Sequence, residues 1–107
     1  MSKNVFLDLG FSEQEASGLK LKAYLFMSLQ DAMRKSGKKQ TDLAKLIGTD
    51  QAKVSKILNG KLDEFSIERI ADFMQKLGYD IHIGVSRAPA DRPAKIVFNN
   101  GDLASAS

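Results

Sequence analysis

The chain of 107 residues has room for one domain with a modest core, and its composition (43% apolar, 27% charged, two prolines) is that of an ordinary soluble globular protein. It has no cysteine and a single histidine, His82, which excludes disulfides, thiolate metal sites, cysteine nucleophiles and any histidine dyad or multi-histidine site within one chain. Net charge is +3, no apolar run reaches the roughly 18 residues that span a bilayer, and the start, "MSKNVFLDLGFSEQE", is no secretory signal because Asp8 interrupts its short apolar patch.

In chain order, Asn4 to Phe11 is short and apolar, and Ser12 precedes "EQE" as an N-cap before first-turn carboxylates. A helix is expected from there to about Lys35, with Leu25, Leu29, Ala32 and Met33 as its apolar stripe; Gly18 either breaks it or does not. "KSGKK" ends it with basic residues and a glycine. A second helix is expected over Gln40 to Ile47, with Leu43, Ala44, Leu46 and Ile47 inward. A third covers Gln51 to Asn59, capped by Thr49 or Asp50. After the loop "GKLDEF", Ser66 caps a fourth helix, Ile67 to Leu77, whose Ile67, Ile70, Ala71, Met74 and Leu77 share a face before Gly78 stops it.

The period then changes. Tyr79, Ile81, Ile83 and Val85 alternate with Asp80, His82, Gly84 and Ser86, the pattern of a half-buried strand. "RAPADRP" is a linker, Lys95 to Phe98 a possible second short strand, and "NNGDLASAS" a tail. An unpaired strand on a helical monomer leaves backbone edges unsatisfied, which predicts pairing with the same strand of a second copy across a twofold axis, or with a partner's sheet. A local hairpin with Lys95 to Phe98 is the alternative. The expected organisation is an N-terminal segment (1–18), a helical domain (19–78), a strand and dimerisation segment (79–98) and a flexible tail (99–107), in a mainly α fold.

The charge is unevenly placed. Arg34, Lys35, Lys38, Lys39, Lys45, Lys53, Lys56 and Lys61 share their span with only Asp42 and Asp50, a local +6, while the rest of the chain carries eight basic and eleven acidic residues, −3. Such a patch fits a phosphate-facing surface, although charge alone favours a solvated lysine-rich face. The same span holds "AKLIGTDQAKVSKILNG", two helical segments broken at Gly48. Two helices crossing over a short turn need a small residue at the contact (Ala44), a residue tolerant of positive φ in the turn (Gly48) and apolar anchors on the inner face of the second helix (Val54 and Ile57). At 100° per residue, Ala52, Ser55, Lys56 and Asn59 then point away from the anchors, with Gln51 at the helix tip. A helix held by its back in this way can present its front to a DNA major groove.

These residues carry a resemblance. "QTDLAKLIGTDQAKVSKILNGK" is similar to the helix-turn-helix of the Cro/cI-type (Xre) family of bacterial and phage repressors, and with "FSIERIADFMQKLGYDIHI" following, the chain resembles small Xre-type antitoxins that repress their own toxin–antitoxin operon. The resemblance covers about Asn4 to Val85 and implies a lambda-repressor-like helical bundle and a sequence-specific double-stranded DNA-binding regulator with a toxin as possible protein partner. The unpaired strand adds the expectation of a homodimer, the lack of cysteine suits a reducing cytoplasm, and no cofactor is expected. By position the resemblance implies base contacts from Gln51 (adenine), Ala52 (a thymine methyl), Ser55 and Lys56 (guanine), and phosphate contacts from Gln40, Lys53, Asn59 and Lys61. Where the family commonly has an apolar residue and a Thr or Ser before the first glutamine, this chain has Lys38 and Lys39. The missing cap should cost about 1 kcal/mol locally, and both lysines are then expected to face phosphate.

Three other readings compete. A protein-interaction adaptor predicts no salt-sensitive DNA affinity; a stand-alone regulator predicts no toxin partner. An enzyme would need clustered titratable groups, and Asp63, Glu64 and Glu68 sit in a loop and first helical turn where carboxylates are favoured anyway. His82 reads as a surface or interface residue. Phe6, Phe11, Phe26, Phe65 and Phe73 read as core, since no aromatic ladder for single strands is evident.

Overall fold

The computed structural model describes residues 13–98, with side chains from residue 17 onward. The expectations for Asn4 to Phe11, the Ser12 cap, Phe6, Phe11 and the tail at 99–107 lie outside the described residues. Residues Gly18–Ile81 gather into one compact unit; the described part of the other unit is 13–17 and 82–98.

Four α-helices occur among the described residues. Helix α1, Glu13–Ser36, runs unbroken through Gly18, an exposed position where glycine's helix cost of about 1 kcal/mol is borne by a long element. Its stripe of Phe26, Leu29, Ala32 and Met33 is buried, with Leu25 partly so. It closes at Gly37, φ 68°, beside the Ser36 hydroxyl, which donates to the Met33 carbonyl at 2.6 Å. Helix α2 is Gln40–Ile47, α3 is Gln51–Leu58, a 3-10 turn covers Leu62–Glu64, and α4 is Ile67–Lys76. The Ser66 side chain accepts from the Arg69 amide at 3.1 Å, the expected cap of α4.

All four helices supply the core: α1 through the four residues above, α2 through Leu43, Ala44 and Ile47, α3 through Val54 and Ile57, α4 through Ile70, Phe73 and Met74, with Phe65 from the preceding loop. Phe65 bridges α1 and α4, its ring centroid 6.1 Å from Phe26 and 6.2 Å, edge-on, from Phe73. No charged or polar residue is buried among the described residues. Leu46, expected inward, is 44% exposed. It lies about 105° from the centre of the Leu43–Ala44–Ile47 sector, outside an apolar stripe about 100° wide. On α4 the sector is turned towards Phe73, leaving Ile67 and Ala71 at the rim.

The C-terminal strand is a correction. Tyr79, Ile81, Ile83 and Val85 form no strand, nor do Lys95 to Phe98, and no strand occurs among the described residues. The Tyr79 amide instead donates to the Met74 carbonyl at 3.0 Å and the Gly78 amide to Gln75 at 2.9 Å, with Gly78 at φ 95°, so this stretch begins as the C-terminal cap of α4. Ile81 packs on the helical core, whereas Ile83 and Val85 are 85% and 95% exposed. Alternation is a side-chain property; a strand also needs a hydrogen-bonded neighbour. Residues 82–98 have a turn at Ala90–Asp91 and an Arg92 guanidinium donating to the Pro93 carbonyl at 3.0 Å. No described helix is long and apolar enough to cross a membrane.

Candidate nucleic-acid interface

The turn between α2 and α3 is set by Gly48, at φ 76° and ψ 38°. An L-residue pays a steric penalty there that glycine avoids. With the chain reversed at Gly48, the Thr49 amide donates to the Ala44 carbonyl at 2.8 Å, and Ala44, 5% exposed, lets the helices approach. Asp50, not Thr49, caps α3: its Oδ1 accepts from the Lys53 amide at 2.8 Å. Val54 and Ile57 are completely buried and Leu58 partly, so α3 is pinned along one side. Gln51, Ala52 and Asn59 are exposed and Lys53, Ser55 and Lys56 half-exposed.

Two side-chain contacts order the exposed side of α3, one across the turn and one along the helix. Gln51 Nε2 donates to Gln40 Oε1 at 3.0 Å, joining the first residues of α2 and α3 and holding the side chain at the tip. Asn59 Nδ2 donates to Ser55 Oγ at 3.3 Å. The far end of α3 is held from α1: Gln30 Nε2 donates to the Ile57 carbonyl at 2.8 Å and Arg34 Nη2 to Leu58 at 3.4 Å. Helix C-termini leave carbonyls without intrahelical partners, so these side chains do capping work that sequence reasoning missed. Gln30 stands at the edge of the α1 stripe, where nothing local distinguishes it from a solvated glutamine.

Helical period gives Lys56 its exposure but not its partner. Its ammonium lies 2.8 Å from Glu64 Oε1, with the two side chains 44% and 46% exposed. The hydrogen bond to Glu64 and its charge raise the Lys56 pKa. The hydrogen bond from Lys56 pulls the Glu64 carboxyl below its ordinary range against partial desolvation, and Lys53 and Lys61 act in the same sense. Lys39 is the N-cap of α2 and makes no side-chain capping bond, while the Lys38 amide donates to Ser36 Oγ at 3.1 Å. Lys61 is exposed, its amide donating to the Lys56 carbonyl at 3.0 Å. The structure therefore gathers Gln40, Gln51, Ala52, Ser55, Lys56 and Asn59 on and beside one exposed helix face, flanked by lysines. No group of His, Asp and Glu among the described residues could hold a metal ion.

A family model described as a helix-turn-helix domain matches residues 5–86. Among solved structures, the chain is similar to a protein named as an XRE family transcriptional regulator, at 28% identity and a TM-score of 0.72, over 79% of this chain and 96% of that one. No curated protein matches the sequence.

Proposed function

The chain belongs to the helix-turn-helix domain family, with an Xre-type helix-turn-helix, and from that premise we propose that it is a sequence-specific repressor that inserts α3 into the DNA major groove. DNA-binding transcriptional regulation is the function of its class. The observation that carries the specific reading is α3 itself: Val54 and Ile57 are buried to the last atom while the polar residues of the same helix stay exposed in the basic span. A helix stabilised only by its own exposed polar face would be marginal at eight residues; anchored by its back, it can be offered to a groove.

Gln51 reads adenine, Ser55 and Lys56 reach base edges, and Ala52 meets a thymine methyl. Gln40, Lys38, Lys39, Lys53, Asn59 and Lys61 meet phosphate, positioning the protein without specifying sequence. The protein acts as a homodimer on an inverted repeat with half-sites about one helical turn apart. Selection of bound sequences from a random duplex library at moderate salt tests this. An enriched inverted repeat is expected; no enrichment would remove the specific-repressor reading.

The physiological role we assign is that of an antitoxin controlling its own operon, supported by the resemblance of "FSIERIADFMQKLGYDIHI" to such proteins. It predicts a neighbouring gene whose product arrests growth when expressed alone and is neutralised by co-expression of this chain. Absence of such a gene would leave a stand-alone regulator.

A further inference from the structure

Lys56 lies on the exposed side of α3, yet its ammonium already has an anionic partner. The three ion pairs among the described residues differ in kind. Lys35 with Asp31 and Lys76 with Asp72 are neighbours one turn apart on a single helix. Lys56 with Glu64 joins two elements, α3 and the 3-10 turn. Glu64 is placed by the fold: its amide donates to the Lys61 carbonyl at 3.2 Å, and the next residue, Phe65, is 4% exposed and locked between Phe26 and Phe73. The carboxylate is thus delivered to Lys56 from an anchored backbone.

From this geometry we infer that Glu64 is a specificity-determining residue, which positions Lys56 for base edges and withholds it from phosphate. The inference rests on α3 being the recognition helix. A lysine is a compact charge on a flexible stem and, without a partner, takes any phosphate within reach, adding affinity for every sequence. Its ammonium has three donors. Glu64 occupies one and restrains the direction of the stem, leaving two that suit the O6 and N7 acceptors of a guanine. Swinging to a phosphate exchanges one anionic partner for another and leaves the Glu64 carboxylate facing the DNA backbone without its counter-charge. Random duplex therefore gains little from Lys56, whereas a guanine in register gains its contact with the ion pair intact.

The test measures binding of the full chain and of E64Q, D63N, K56M and K56M/E64Q to the selected duplex and to random duplex across a salt series. D63N removes a neighbouring exposed carboxylate that has no ion pair among the described residues, and so reports general repulsion. E64Q is expected to bind random duplex roughly two- to five-fold more tightly, the range of a surface ion pair, with a salt slope steeper by about one ion. It should gain less on the selected duplex, narrowing discrimination. With Lys56 replaced by methionine, E64Q should do no more than D63N. Equal gains on both duplexes, or a gain that persists without Lys56, would overturn the inference while leaving α3 as the recognition helix. If the unaltered chain selects no sequence, the recognition reading itself fails and this inference with it.

Discussion

Gln51 shows how a single residue passes from pattern to geometry. Its place at the tip of α3 is legible from its spacing after Gly48, but its orientation depends on Gln40, eleven residues away, whose Oε1 it meets at 3.0 Å. That pair exists only because α2 and α3 cross with their first residues together. Gln51→Ala is expected to erase a preference for adenine at one operator position, costing about 1–3 kcal/mol there and leaving random-duplex affinity unchanged. Competition with single-base-substituted duplexes measures it. A uniform loss over all sequences would make Gln51 a phosphate contact instead. Lys56 was legible only by half: its exposure follows from helical period, while Glu64 reaches it through a loop whose course Phe65 dictates.

At the scale of the element, glycines in different conformations should respond with opposite signs. Gly48 sits at φ 76°, and a Cβ there would also come within 3.3 Å of Lys76 Nζ, a flexible end that can move. Gly48→Ala should therefore destabilise the protein by roughly 1–2 kcal/mol, the left-handed backbone penalty. Gly18, inside α1 with nothing within 4 Å of a built Cβ, should gain about 0.5–1 kcal/mol on substitution by alanine. Thermal melting of the two variants checks both signs. Helix spans were read closely, since caps and stop signals are local: α2 spans Gln40–Ile47 as expected, and α3 and α4 end one residue earlier than expected, at Leu58 and Lys76. The segment after Gly78 was not, because Tyr79, Ile81, Ile83 and Val85 satisfy the period of a strand without a neighbour to hydrogen-bond, and the Tyr79 amide is taken by α4.

For the molecule as a whole, charge decides how it approaches a polyanion. The +6 span from Arg34 to Lys61 includes Lys38 and Lys39, which lead into α2 with no side-chain cap. Their cost to a helix N-terminus is offset if both face phosphate in the complex. Replacing both by glutamine should weaken binding to all duplexes alike and flatten the dependence of log affinity on log salt by about two. An unchanged slope would exclude them from the phosphate contacts. The double variant should melt no lower than the parent, because neither side chain caps α2.

The amino-acid sequence alone determined the helix-turn-helix. Ala44, Gly48, Val54 and Ile57 each answer a steric demand acting within a few residues, and the apolar stripes of α1 and α4 report which sides turn inward. Only the tertiary structure decided which polar groups meet: Gln51 with Gln40, Gln30 with the end of α3, Lys56 with Glu64. It also decided that Leu46 faces outward and that residues after Gly78 form no strand. Burial patterns repeat with the period of the backbone and can be read along the chain. Partnerships between polar groups have no period, and arise only where packed helices bring distant residues within 3 Å or so of each other.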